Sequence, residues 1–145
     1  MKTIEGKTII EILLKRLKKS QEINKIILAT SNKKRDDILA NHVVKLGFDI
    51  FRGKENDVLD RFIRASEKLN CKFIQRLNCD NLLFDPSYMS YCYKTLDDVS
   101  DVYTNVNFPN HSGSSVEIIR KEKCLITREP TEYESEHVFP YFYAN

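Results

Sequence analysis

The chain has 145 residues, enough for one ordinary domain that buries about two thirds of the surface its unfolded form exposes. Apolar residues make up 41% and charged residues 30%, a balance that excludes a disordered chain or a membrane protein. The formal net charge is +2 and basic residues are mixed with acids, so no nucleic-acid partner is indicated.

The four cysteines are Cys71, Cys79, Cys92 and Cys124, and their spacing fits no paired zinc or redox motif. We predict free thiols, with Cys79 a small buried filler rather than a nucleophile. There is no secretion signal and no apolar run of about 18 residues, which predicts a cytoplasmic protein without a membrane partner.

Hydrophobic periodicity predicts an alternation of helices and strands. In chain order it predicts helix 8–20, strand 25–30, helix 34–46, strand 49–52, helix 57–69, strand 72–77, helix 87–96, strands 101–106 and 116–120, and a short helix before Pro140. Strand 25–30 is predicted to be covered on both faces. Ile38 is expected on the buried face of helix 34–46, and Asn56 is expected to cap helix 57–69. The alternation predicts a single domain with a doubly wound α/β sheet.

The stretch 74–86 runs from an apolar strand into a polar turn that carries a lone acid, Asp80. In open α/β sheets, ligands bind at the carboxyl ends of strands, so this acid is placed to hold a metal ion against a phosphate. Aspartate also forms turns by capping its own backbone. Spacing alone leaves both interpretations open.

Five blocks in order resemble the cytidylyltransferase family, which includes the synthetases that activate sialic acid and Kdo with CTP and the spore-coat polysaccharide F-type proteins. They are residues 6–17, 27–31, 51–61, 76–86 and 134–141. The block 76–86 reads Arg-Leu-Asn-Cys-Asp-Asn-Leu-Leu-Phe-Asp-Pro, and the block 134–141 reads Glu-Ser-Glu-His-Val-Phe-Pro-Tyr. The resemblance covers nearly the whole chain.

The resemblance implies a Rossmann-like nucleotide-diphospho-sugar transferase with a three-layer α/β fold, linked to surface polysaccharide biosynthesis. In such enzymes a sugar hydroxyl attacks the α-phosphorus of CTP and pyrophosphate leaves, with Mg²⁺ neutralising the developing charge. CTP and a sugar acid or related sugar are the implied partners. The resemblance leaves open whether the protein forms a homo-oligomer.

The same resemblance assigns roles to individual residues. The catalytic metal ligand is Asp80, the nucleotide-binding residues are Ser31, Asp57, Asp60, Arg61 and Asn78, and the substrate-binding residues are Glu117, Glu136 and His137. A buried Asp–Arg pair that fixes helix 57–69 to the sheet is an equally good interpretation of Asp57, Asp60 and Arg61. For His137, a role in the site and a structural role are equally good interpretations.

The chain also departs from the family pattern. The family's first strand and phosphate-binding loop are not in this sequence, so we expect weak or no nucleotidyl transfer. Strands 25–30 and 72–77 are then expected to pair directly, to borrow a strand from another chain, or to leave backbone groups unpaired. Asn78 and Cys79 replace a Thr-Gly pair, and Ser115, in a segment 107–115 expected to face the acceptor, replaces an aspartate. A non-catalytic subunit that completes its sheet with a partner chain is the alternative function.

Overall fold

A computed structural model describes residues 1–67, 69–96, 101–104 and 116–144. Its strands are β1 (Thr3–Ile4), β2 (Lys7–Thr8), β3 (Ile27–Ser31), β4 (Asp49–Gly53), β5 (Phe73–Arg76), β6 (Val102–Thr104) and β7 (Glu117–Arg120). Its helices are α1 (Ile9–Leu17), α2 (Asp37–Lys45), α3 (Val58–Ser66), α4 (Pro86–Thr95), α5 (Glu132–His137) and α6 (Phe139–Tyr143). Single 3-10 turns span Lys34–Asp36 and Lys121–Lys123.

The chain divides into two compact units, Met1–Lys25 with Gln75–Ile118, and Ile26–Ile74 with Ile119–Asn145. The predicted elements are present, with ends shifted by a few residues. The end of predicted strand 101–106 and the segment 107–115, with Ser115, lie outside the described residues. In the part of the chain that the structure describes, no helix is long and apolar enough to cross a membrane.

In the first unit, an antiparallel hairpin of β1 and β2 leads directly into α1. Ile4 pairs with Lys7 across a two-residue turn, and both turn residues, Glu5 and Gly6, have positive φ angles of 48° and 75°. This turn geometry matches the twist of the two strands. The Thr8 side chain then accepts a 3.2 Å hydrogen bond from the backbone N–H of Glu11, which caps α1. The buried face of α1 consists of Ile10, Leu13, Leu14 and Leu17.

In the second unit, β3 and β4 form a parallel pair in which Ile27 lies opposite Asp49 and Ser31 opposite Gly53. Helix α2 connects the two strands, and α3 contacts both strands and α5. This β3–α2–β4 unit confirms the predicted parallel α/β arrangement. The core of the unit is apolar and includes Leu28, Ala40, Val43, Leu59, Ile63, Phe139 and Phe142.

Two burial predictions for this unit are wrong. Ile38 is 67% exposed, because it lies about 200° around α2 from Ala40, which forms the buried face together with Val43. Strand β3 is not covered on both faces, since Leu28 and Thr30 are buried but Ala29 between them is exposed. Successive side chains of a strand point to opposite faces, so β3 is only half covered at this point.

The predicted cap of the third helix is also wrong, because Asp57 and not Asn56 caps α3. The Asp57 carboxylate accepts a 3.0 Å hydrogen bond from the backbone N–H of Asp60. Replacing Asp57 by alanine is therefore expected to lower the free energy of unfolding by about 1 kcal/mol. Urea unfolding checks this, with Asn56→Ala as the matched control. Equal losses in both variants would contradict the cap at Asp57.

The remaining strands form a sheet with the order β5–β7–β6. The backbone N–H of Lys121, just after β7, donates a 3.0 Å hydrogen bond to the carbonyl of Lys72, just before β5. Among the described residues, β3 pairs with β4 and β5 pairs with β7, so the direct β3–β5 pairing that we considered does not occur.

Candidate functional site

The turn after β5 presents Asp80 on its exposed side. Three backbone hydrogen bonds shape this turn, from Asn81 to Asn78 (3.1 Å), from Leu82 to Asp80 (2.9 Å) and from Phe84 to Asn81 (3.2 Å). Asn78 and Asp80 are both exposed. Cys79 is exposed as well, which corrects its prediction as a buried filler.

The far end of the Asp80 turn is held by Arg16 of α1 and by the Phe84 ring. The Arg16 guanidinium donates two hydrogen bonds, of 3.2 and 2.8 Å, to the Phe84 carbonyl. The Phe84 side chain is completely buried. Asp85 then caps α4, since its carboxylate accepts a 2.8 Å hydrogen bond from the N–H of Ser87. The turn is thus fixed at its end while Asp80 stays accessible.

The Asp80 carboxylate is open to a cation. Within the described ranges, it has neither a hydrogen bond nor an ion pair, and no three Cys, His, Asp or Glu side chains gather there or elsewhere to form a metal site. Protein-bound Mg²⁺ usually takes one or two carboxylates and completes its shell with phosphate and water oxygens. A single open carboxylate fits an ion that arrives with a nucleotide triphosphate, and it does not fit a metal held by protein side chains alone.

Glu117, a predicted substrate-binding residue, is engaged in an ion pair. Its carboxylate lies 3.1 Å from the guanidinium of Arg76, and the two side chains are only 16% and 18% exposed. The pair connects β7 to β5 in the first unit, close in sequence to Asn78 and Asp80. This geometry gives Glu117 a bridging position, and its predicted contact with substrate stays a prediction.

In the second unit, Ser31 sits at the carboxyl end of β3 and shapes the loop that follows. Its hydroxyl donates to the carboxylate of Asp36 and accepts a 3.1 Å hydrogen bond from the N–H of Lys33. Arg52 of β4 donates 2.9 Å hydrogen bonds to the carbonyls of Ser31 and Lys33, and forms a 2.6 Å ion pair with Asp37. Ser31 is buried, and this network fixes it as a loop-forming residue.

Arg61, at the start of α3, packs over Gly53 at the carboxyl end of β4. Its guanidinium donates to the carbonyls of Lys54 and, at 2.6 Å, Glu55. Burial lowers the pKa of Arg61, and the carboxylates of Asp57 and nearby acids oppose that shift. Its Nε atom is buried without a hydrogen-bond partner among the described residues. The Asp–Arg pair that we considered is therefore replaced by hydrogen bonds from Arg61 to backbone carbonyls.

Gly53 is the residue that lets Arg61 lie so close to the strand. A Cβ atom at this position would approach the Arg61 Cγ to 2.7 Å and the Phe51 ring to 3.3 Å. Gly53→Ala is expected to cost about 2 kcal/mol of stability through overpacking, because Cγ lies too near the backbone to move freely. The double variant Gly53→Ala with Arg61→Ala removes the clash. In urea unfolding, the double variant should lose less stability than the sum of the losses in the two single variants. A loss equal to that sum would contradict the contact.

The block 134–141 has a buried part and an exposed part. Glu134 is buried and forms a two-pronged ion pair with Arg128, at 3.0 and 2.5 Å, and closes a capping box with Thr131. Glu136 and His137 are exposed, and the His137 ring lies 4.3 Å from the Tyr133 ring. Their predicted substrate contacts stay predictions. The structure assigns the scaffold role to Glu134, which the sequence did not single out.

The Arg128 guanidinium and the Thr131 groups lower the pKa of Glu134 to about 2 from 4.5. A lowered pKa means that the charged form stabilises the fold, fully above pH 4.5 and less and less as the pH falls towards 2. Urea midpoints across this range should therefore fall with pH, and less steeply in Glu134→Gln. Glu136→Gln, which removes an exposed carboxylate two residues away, should keep the slope; an unchanged slope in Glu134→Gln would contradict this role.

The candidate residues thus fall into two groups. Asn78, Asp80 and Glu117 belong to the first unit. The second unit carries the rest of the predicted set, which is Ser31, Asp57, Asp60, Arg61, Glu136 and His137. Of these, Ser31 and Arg61 meet at Gly53, since Ser31 pairs with it and Arg61 packs over it. Asp60 lies 3.8 Å from Arg64 on the exposed side of α3.

Polar side chains at the ends of strands in a mixed α/β fold define the broad class of open α/β proteins that bind ligands there. Within that class, the sequence profile described as Cytidylyltransferase matches residues 1–145. The chain belongs to the cytidylyltransferase family, which confirms the resemblance read from the sequence.

Two curated proteins and one solved structure are similar to the chain. An uncharacterised protein of Methanocaldococcus jannaschii, MJ1063, is 35% identical over 146 residues, which is 94% of this chain and 57% of that protein. The spore coat polysaccharide biosynthesis protein SpsF of Bacillus subtilis is 33% identical over 110 residues, which is 73% of this chain and 46% of SpsF. The chain therefore spans about half the length of these relatives.

The similar structure is a cytidylyltransferase from Leptospira borgpetersenii serovar Hardjo-bovis. It superimposes with a TM-score of 0.89 at 26% identity, over 99% of this chain and 63% of that one. The predicted α/β nucleotidyltransferase fold is thereby confirmed.

Proposed function

We propose that this chain carries part of the site of a cytidylyltransferase that joins CTP to a sugar acid or related sugar in surface polysaccharide biosynthesis, in the cytoplasm. The observation that carries the proposal is the open carboxylate of Asp80, in a fixed turn at the carboxyl end of β5. The similarity to a spore coat polysaccharide biosynthesis protein supports the pathway class.

In this proposal, Asp80 binds the metal that accompanies the triphosphate, and Asn78 lies on the same exposed turn to contact the nucleotide. Bound Mg²⁺ would supply neutralisation of charge on the phosphates. The reaction needs positioning and electrostatic stabilisation more than covalent help from the protein. Ser31, Asp57, Asp60 and Arg61 are proposed for the nucleotide, acting mainly by shaping the loops after β3 and β4.

The acceptor sugar is proposed to meet Glu117, Glu136 and His137. Glu136 and His137 are exposed and available for contact with the acceptor. Glu117 is already paired with Arg76, so it can contact the acceptor only if the Arg76 guanidinium is shared between the two. The carboxylate of a sugar acid would be attracted to a positively charged group, which is Arg76 in the first unit and His137, when protonated, in the second.

Isothermal titration with CTP and Mg²⁺ tests the nucleotide part of the proposal. Because Asp80 is a single ligand, we expect metal-dependent binding weaker than micromolar, with CTP preferred to UTP and ATP. A micromolar dissociation constant would contradict the expected weak binding of CTP. Equal binding with and without Mg²⁺ would contradict the role of the metal.

Pyrophosphate release with sialic acid, Kdo and neutral sugars tests the acceptor. We expect slow release of pyrophosphate, and we expect one class of sugar to increase its rate over that without sugar. Release that no sugar changes would contradict the acceptor proposal while leaving nucleotide binding intact.

The alternative function is a non-catalytic subunit that completes its sheet with a strand from another chain. The pairing of β3 favours it, since β3 bonds only to β4 among the described residues. Parallel or antiparallel strand addition would satisfy the open edge. Size-exclusion chromatography with light scattering tests this possibility. A dimer would support it, and a monomer with a cooperative melt would contradict it.

A further inference from the structure

A cavity of about 530 Å³ in the second unit brings together two of the four cysteines. Its lining combines the thiols of Cys71 and Cys124 with apolar and charged side chains, among them Ile63, Lys72, Lys121 and Leu125. None of these residues has a role in the proposed nucleotidyl transfer. The cavity is therefore a separate feature of the fold.

The backbone brings Cys71 and Cys124 to the wall of the same cavity. The Lys121 N–H donates a 3.0 Å hydrogen bond to the Lys72 carbonyl, which fixes the residue after Cys71 against the end of β7. The chain then makes a single 3-10 turn, in which the Cys124 N–H donates a 3.1 Å hydrogen bond to the Lys121 carbonyl. Cys124 is thus hydrogen-bonded to Lys121, and Cys71 precedes Lys72, the residue that Lys121 hydrogen-bonds to. The two cysteines therefore line one cavity although they are far apart in sequence.

The two thiols differ in access. Cys124 is only 4% exposed, and its sulfur lies 3.5 Å from the Ser66 hydroxyl. Cys71 is half-buried at the cavity wall. Burial raises the pKa of both thiols, and the positive charge of Lys121 opposes the rise at each of them. Cys71 is the more accessible thiol and Cys124 the sheltered one.

We propose that Cys71 and Cys124 form an oxidation site that hydrogen peroxide converts to a disulfide and that a dithiol reductant such as dithiothreitol restores. The Cys71 sulfur, as its thiolate, attacks one peroxide oxygen, the O–O bond breaks, and water leaves after protonation, so that Cys71 becomes a sulfenic acid. The Cys124 sulfur then attacks the Cys71 sulfur and a second water leaves. Overall, two thiols lose two electrons and two protons, and the peroxide is reduced to water.

The other two cysteines provide the contrast. Cys79 is exposed in the first unit, so peroxide should oxidise it to acids without an intramolecular disulfide. Cys92 is fully buried, and its sulfur lies 3.6 Å from the Tyr103 hydroxyl. A disulfide that selects Cys71 and Cys124 over the exposed Cys79 is therefore a specific consequence of the cavity.

Peptide mapping by mass spectrometry after hydrogen peroxide treatment of the full chain tests the proposal, with Cys79→Ser as background to remove the competing thiol. We expect one cross-linked peptide pair, containing Cys71 and Cys124, and loss of two thiols per chain that dithiothreitol restores. Cys71→Ser and Cys124→Ser should each abolish this pair. The measurement on the Cys79→Ser chain does not depend on whether those two variants fold.

Oxidation in concentrated urea separates the folded geometry from chance pairing. There the preference for the pair should disappear, because the backbone hydrogen bonds of Lys121 that bring both cysteines to the cavity are lost. Three outcomes would overturn the proposal: sulfinic acid at Cys71 without a cross-link, dimers joined through Cys71, or the same yield of the pair in folded and unfolded chains.

Discussion

Replacing Tyr141 by alanine is expected to lower the free energy of unfolding by about 4 kcal/mol, one of the two largest effects that the structure predicts. Tyr141 is completely buried. The centroid of its ring lies 5.4 Å from that of Phe142 and 4.6 Å from the Cζ atom of the Arg128 guanidinium. Removal of the ring leaves a cavity and takes away the surface against which Arg128 packs. Urea unfolding measures the loss directly.

Tyr141→Phe is the matched control, because it removes only the hydroxyl. That hydroxyl accepts hydrogen bonds from the N–H groups of Thr127 (2.7 Å) and Arg128 (3.0 Å) and donates to the Arg128 carbonyl (3.1 Å). Its loss is expected to cost about 1 to 2 kcal/mol, since water can reach this partly exposed loop. Equal losses in both variants would show that the hydroxyl, and not the ring, carries the stabilisation.

These contacts give a physical account of the late block. Tyr141 anchors the loop at residues 127–128, and Arg128 then reaches Glu134, which in turn caps α5 through Thr131. Val138 joins α5 to α6 with a positive φ of 69°, a costly conformation for a β-branched residue. The buried contacts on either side of Val138 hold it there, and they leave Glu136 and His137 on the exposed surface.

Local patterns predicted the elements well because they are short-range properties of the chain. The spacing of Leu13, Leu14 and Leu17 predicts α1, and Asp85-Pro86 predicts the start of α4, since cap and proline act within one turn. The burial prediction for Ile38 failed because helical periodicity does not tell which side of the helix the sheet covers. Asn56 and Asp57 are both good caps, and only the backbone at residue 57 decides between them.

The candidate site was predictable only in part, for a related reason. Asp80 follows an apolar strand, and this local signal placed it on an exposed turn. The partners of Arg61 are carbonyls of residues 54 and 55, and the partner of Glu117 is Arg76 on another strand. Contacts with backbone carbonyls leave no trace in side-chain patterns, and pairs across strands depend on sheet order. Gly53, the last residue of β4, was the one available signal of the close approach of Arg61.

The second large effect concerns Asp80. Asp80→Asn is expected to weaken metal binding in the presence of CTP about 100-fold, because the amide keeps the shape of the carboxylate and loses its charge. Mn²⁺ replaces Mg²⁺ as a paramagnetic probe, and NMR line broadening of the amides of residues 78–82 reports its approach even when binding is weak. In the unchanged chain these amides should broaden when Mn²⁺ and CTP are added together.

Asp85→Asn is the matched control for this measurement. It removes the same charge only a few residues away, and asparagine caps a helix about as well as aspartate, so α4 should stay intact. Broadening that survives in Asp85→Asn and vanishes in Asp80→Asn would identify Asp80 as the ligand, independently of any transfer activity. If both variants broaden alike, Asp80 is not the metal ligand and the metal part of the proposal is wrong.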